Sequence, residues 1–177
     1  MGYRHDRGEI LDAATAVLAE SGLAGLTYRT VGARLGIPDR TVVYYFPRKD
    51  DLVVAAVERG LHDLRDVVTA ALDGATGDER DLAGRAWRAL RTPAGEQAFG
   101  LALEVLGPAA RGVEPYRSAA AGLVDLWTDL VHRHLAGVDP TRRERAAGAV
   151  ALLDGLLLIR AVAGTARADA AARGLGI

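Results

Sequence analysis

Fifteen residues, Ile37 to Asp51 with the sequence IPDRTVVYYFPRKDD, hold two tyrosines, a phenylalanine, two prolines and the chain's lone lysine, in a protein that is 5% aromatic. Arg40 offers a planar fork of donors suited to two acceptors at once, Lys49 a point charge, and Thr41, Tyr44 and Tyr45 hydroxyls that donate or accept. Such a set suits an anionic, acceptor-rich surface. From Gly22 to Lys49, the cations Arg29, Arg34, Arg40, Arg48 and Lys49 stand against Asp39 alone, so a chain of net charge -1 carries a basic island.

Bond-making chemistry finds less support. Ser21 and Ser118 are the only serines and neither sits in a G-x-S-x-G elbow, and no phosphate loop or dinucleotide fingerprint occurs. His132 and His134 are two apart, so on a helix they diverge and cannot share a metal as an i, i+4 pair would. His5 lies in the amino-terminal arm, and Asp50 with Asp51 sits at a helix start, where the macrodipole favours acids. The expectation is a non-enzyme with no metal and no cofactor. Cysteine is absent, which removes disulfides and thiolate sites and fits the cytoplasm. The first ten residues, MGYRHDRGEI, lack the apolar stretch of a signal peptide. Apolar runs such as AAGAVALL before Asp154 fall short of the roughly 20 residues a spanning helix needs, so no membrane partner is expected.

The elements that must position the donors read as helices throughout, since nothing alternates with period two. Ile10, Ala14, Val17 and Leu18 form one stripe of a helix over Glu9 to Glu20, stopped at Ser21 to Leu23 by Gly22 as a left-handed cap. Thr27 caps a second helix, with Leu26 and Val31 as a hydrophobic staple, and Gly36 ends it. Pro38 fits the first turn of a third, running to about Tyr45 and closed by Pro47. Leu52, Val53, Ala56, Val57, Leu61 and Leu64 mark a long helix from Asp50 to Leu72. Further helices are expected over Glu79 to Arg91, Ala94 to Leu106, Pro115 to Leu135 and Thr141 to Ala163, with the Ala-rich end ADAAARGLGI a frayed helix.

Two short helices joined across Gly36 make a helix-turn-helix, which needs a small residue at the crossing, a turn glycine four residues on, and apolar plugs beneath. Gly32, Gly36, and Val31, Leu35, Ile37 and Val42 answer those needs. The third helix then presents Asp39, Arg40, Thr41, Tyr44 and Tyr45, Arg40 matching guanine and the hydroxyls matching phosphates or a thymine methyl, while Phe46 faces inward. Lys49, Arg29 and Arg48 are candidate phosphate contacts.

Residues 7–52 resemble the amino-terminal domain of the TetR family of transcriptional regulators, on ILDAA, GLAGLTYRTVGARLGI and TVVYYFPRKDDL. Pro38, Gly32 and Val43 depart from that pattern, where Ser or Thr, Ala, and Tyr are common. The resemblance implies that Thr27, the start of the third helix, Tyr44, Tyr45 and Lys49 face double-stranded operator DNA. The full DNA-facing set is Thr27, Tyr28, Arg29, Pro38, Asp39, Arg40, Thr41, Tyr44, Tyr45 and Lys49.

The expected organisation is all-α, with a DNA-binding domain over residues 4–50 and a helical ligand-binding and dimerisation domain over 51–177. A single small head needs a second copy to read two half-sites. For a homodimer face, Ala147, Ala151 and Gly155 give a small-residue strip flanked by Val150, Leu153 and Leu157, joined by the preceding helix's Tyr116, Ala120, Leu123, Trp127, Leu130 and His134. The alternative for each is the chain's own core. TetR-like regulators enclose a small-molecule pocket between head and dimer helices. His62, Trp87, Phe99, Glu104 and Trp127 are candidate lining for an apolar effector, with core packing or a solvated face as the alternative for each. The expected function is a repressor released from its operator by that effector; the alternative is a helical ligand-binding or interaction module that no longer reads DNA.

Overall fold

The structure, a computed structural model, describes residues 6–177. His5 and the expected domain start at residue 4 lie outside the described residues. Helix α1 (Arg7–Gly25) opens on a reciprocal box: Asp6 accepts the Glu9 N–H at 2.9 Å and Glu9 accepts the Asp6 N–H at 3.2 Å. The box starts the helix ahead of the expected Glu9. Ile10, Ala14, Val17 and Leu18 are all buried, as their stripe requires. Gly22 does break the helix, with φ 64° and ψ -173°, a conformation open essentially to glycine, and one further turn leads on to Gly25.

Helix α2 (Tyr28–Leu35) is capped by Thr27, whose hydroxyl accepts the Thr30 N–H at 3.1 Å while Thr30 Oγ1 accepts the Thr27 N–H at 2.9 Å. Leu26 and Val31 are fully buried. Gly36 adopts the left-handed conformation, φ 68° and ψ 29°, and α3 (Asp39–Tyr45) comes after it. The turn is tight: a Cβ on Gly32 would stand 2.7 Å from the Ile37 carbonyl oxygen. Val42 is sealed beneath, whereas Leu35 and Ile37 are only half-buried plugs.

Helix α4 (Lys49–Leu72) begins one residue earlier than expected, and its apolar series is buried. Helix α5 (Glu79–Leu90) and α6 (Pro93–Ala110) come next. The expected end of α6 at Leu106 is overrun, because Pro108 is carried inside the helix and the chain turns only at Gly112, φ 75°. Helices α7 (Tyr116–His134) and α8 (Arg142–Ala163) fall within a residue of expectation. The Ala-rich end is a correction: α9 (Thr165–Leu175) is an ordered helix packed on α8, with Ala168 and Ala172 buried and Gly176 capping it at φ 77°. Alanine gives no amphipathic signal, but it lets two backbones approach.

Among the described residues no strand forms; Gly77 and Leu135 make one isolated bridge.

The chain divides into two compact units, and α4, α6 and α7 each contribute residues to both. The first joins residues 6–63 with Gly100–Ala120. Inside it the Thr15 hydroxyl donates to the Ala56 carbonyl at 2.9 Å, and Gly60 admits Leu101, whose Cδ1 would lie 2.6 Å from a Cβ there. Two hydrogen bonds tie the 100–120 segment to the head: Leu23 N–H to Glu104 Oε2 at 2.9 Å, and Tyr116 hydroxyl to Asp50 Oδ1 at 2.7 Å. The second unit, Leu64–Phe99 with Ala121–Ile177, packs α5 on α8 around Leu72, Leu82, Trp87, Leu135 and Leu156. Arg145 bridges Glu79 at 2.7 Å and Asp139 at 2.9 Å, and Arg91 meets Asp169 at 2.9 Å.

Candidate nucleic-acid interface and ligand cavity

Helix α3 is short, so the residues that point outward are set by those its neighbours bury. Val42 and Phe46 are 0% and 3% exposed, and the Arg7 guanidinium lies 4.7 Å over the Phe46 ring. On the opposite face Tyr44 is 79% exposed, Asp39 and Arg40 are exposed, and Thr41 and Tyr45 are half-buried. The two tyrosine rings meet edge to face, 5.2 Å apart, which fixes the direction in which Tyr44 projects. Pro38 supplies no side-chain cap; Asp39 Oδ1 accepts the Arg40 N–H at 2.7 Å instead.

The basic island is smaller than its composition. Arg34 is held by both oxygens of Glu20, at 2.9 and 3.0 Å, and Arg48 stands a loose 4.0 Å from Asp51. Arg29, Arg40 and Lys49 are exposed and form no ion pair among the described residues. Thr27 is half-buried and its hydroxyl serves the cap, and Tyr28, also half-buried, has its phenol pushed up by burial and then by the charges of Asp51 and Asp50. Tyr28 is thus a neutral donor. The expected set omits Val43, which is 38% exposed beside Arg40 and Tyr44. Its signal was the i+3 spacing from Arg40, masked by its apolar type.

The expected ligand-lining residues do not converge. Phe99 lines a cavity of about 340 Å³ with Glu96, Leu157, Arg160 and Ala161. Trp87 is 2% exposed, which makes it core. Glu104 is taken up by Leu23 N–H, because its turn of α6 lies over the Gly22 break, where Oε1 would sit 3.3 Å from a Cβ. His62 is exposed on α4, and Trp127 is half-buried on α7.

The expected dimer face also divides. Ala147 and Ala151 are exposed and Gly155 has open space beside it, and the strip continues through Asp154, Leu158 and Val162. Val150, Leu153 and Leu157 are 5 to 7% exposed and belong to the chain's own core. At about 100° per residue they fall on the side of α8 that meets its neighbours. The α7 series turns inward, with Tyr116, Ala120 and Leu130 buried and Leu123, Trp127 and His134 half-buried, while the exposed apolar residues of α7 are Val124 and Leu126, outside that series. Counted as a window and not as an unbroken run, α8 is long and apolar enough to cross a membrane, with mean hydropathy 1.9; a third of that window is buried. Asp154 is the one charge between Arg145 and Arg160. By surface area it is exposed, yet desolvation by the surrounding apolar helix still pushes its carboxyl up.

Comparison with known proteins agrees with this geometry. Residues 10–56 match the family model described as bacterial regulatory proteins, tetR family. No curated protein sequence matches the chain. Among solved structures, the multidrug binding protein EbrR complexed with imidazole is 32% identical over 99% of this chain and 92% of its own, with TM-score 0.73. A TetR-family member from Streptomyces coelicolor A3 is 30% identical over 96% of both chains, TM-score 0.71. A protein from Saccharomonospora viridis in complex with choline shares the fold at 24% identity, covering 96% of this chain and 93% of its own, TM-score 0.72. The chain belongs to the TetR family, a non-enzymatic family, and is a helix-turn-helix DNA-binding transcriptional regulator.

Proposed function

We propose that this regulator is a cytoplasmic homodimeric repressor that grips its operator through α3 and leaves it when a small molecule occupies the second unit. The observation that carries the reading is the two-sidedness of α3: Val42 and Phe46 anchor it, while Arg40, Val43 and Tyr44 stand outward, and Arg29 and Lys49 are exposed with no ion pair among the described residues. Arg40 reads a guanine edge, Val43 a thymine methyl, and Arg29 and Lys49 hold phosphates, with Thr27, Tyr28, Pro38, Asp39, Thr41 and Tyr45 framing the contact. The uncovered α8 strip of Ala147, Ala151, Gly155, Leu158 and Val162, interrupted by the single charge of Asp154, supports pairing with a second copy, because it is otherwise apolar and its small residues permit close approach.

For the effector, the support is the cavity at Phe99 together with two similar structures, one a multidrug binding protein and one in complex with choline. Occupancy shifts the population away from the DNA-competent state. The test is duplex binding against salt. A dimer that neutralises roughly six to ten phosphates loses about three to five decades of affinity between 50 and 200 mM salt. A flat response refutes operator gripping and favours a module that no longer reads DNA.

A further inference from the structure

We propose that the cavity between α6 and α8 takes an amphiphilic carboxylate, its anionic group gripped by Arg160 and its apolar body lying on Phe99, Leu157 and Ala161. This deepens the reading that the second unit binds the effector, and rests on it.

The Arg160 side chain is 9% exposed, so most of its stem is packed against the protein. Its Nε donates to Glu96 Oε1 at 2.5 Å, and among the described residues neither of its Nη groups has a hydrogen-bond partner. Neither Nη is among the buried side-chain atoms left without a partner, so both stay open to solvent, and a guanidinium that never loses its charge keeps them available to an anion. Glu96 is 47% exposed and keeps much of its charge in water. Arg160 lines the cavity with Glu96 and with the apolar Phe99, Leu157 and Ala161. A planar carboxylate matches the free side of the fork, and an aryl or alkyl body matches the rest. A volume of about 340 Å³ lies in the range of small-molecule sites. A cation, by contrast, would compete with Arg160 for Glu96, the one carboxylate of the lining.

The full-length protein is titrated calorimetrically with 4-phenylbutyrate, with its neutral amide, and with the cation proflavin. The carboxylate binds about ten-fold or more tighter than the amide, as a charge-assisted fork predicts. Arg160→Met abolishes that preference, Arg160→Lys keeps only part of it, and Glu96→Gln, which frees the guanidinium, enlarges it. Should Arg160→Met melt out, the Lys and Gln variants carry the same test. Equal binding of acid and amide, or a preference untouched by Arg160→Lys and Glu96→Gln, overturns the assignment. Operator affinity is measured alongside. Arg160-dependent carboxylate binding without operator release upholds the site and removes its effector role. Release by proflavin with no carboxylate binding removes the site and leaves ligand control standing.

Discussion

Glu104→Ala separates two roles for one residue. In the structure Glu104 Oε2 accepts the Leu23 N–H at 2.9 Å, just past the break at Gly22, where the helical ladder offers that amide no carbonyl. A hydrogen bond to a charged group contributes about 1.5 to 3 kcal/mol, and removing the carboxylate leaves a part-buried N–H unpaired. For a chain of this length about 1 kcal/mol moves the midpoint roughly 2 to 4 °C, so Glu104→Ala melts about 3 to 12 °C lower by circular dichroism. Glu104→Gln keeps an acceptor but loses the charge, and falls about half as far. Because the bond sets the entry to α2, operator affinity falls in the same order, Ala below Gln below wild type. Were Glu104 a ligand-lining residue, the melting point would hold and only small-molecule affinity would change. An Ala variant that melts within about 1 °C of wild type refutes the latch, by the same conversion.

Lys49→Ala weakens binding to all duplexes alike and lowers the salt slope by about one, whereas Arg40→Ala costs about 1 to 3 kcal/mol and relaxes preference at one base pair per half-site, both read in salt-dependent binding titrations. Asp154→Asn tests the α8 strip. A carboxyl whose folded pKa is raised above its ordinary 3.8 loses stability as pH rises through that shifted value, because the charge must then be held on an apolar face. The Asn variant therefore dimerises more tightly than wild type at pH 7 by analytical ultracentrifugation, and the two converge as pH falls below 3.8. An advantage that persists at low pH refutes the electrostatic reason.

The local grammar of the head was decided by residue type. Thr27 can cap only a helix that starts after it, Gly36 alone takes φ 68° freely, and Pro38 confines α3 to the residues beyond it, so these elements were legible in the sequence. The Ile10 stripe and the Leu52 series carried helical period because each faces one core. Long-range pairing carried no such signature. Nothing adjacent in sequence announces that Glu20 takes Arg34 out of the basic island, that Glu104 serves the Leu23 amide 81 positions away, or that Ala168 and Ala172 rest on α8. Likewise Val150 and Ala151 are chain neighbours of similar type, one buried and one exposed, since a 100° step turns one toward the core and the other away. Local conformation depends on torsions within a few residues and is written in order along the chain. Which donor meets which acceptor depends on distance in space, and that is set only once the helices have packed.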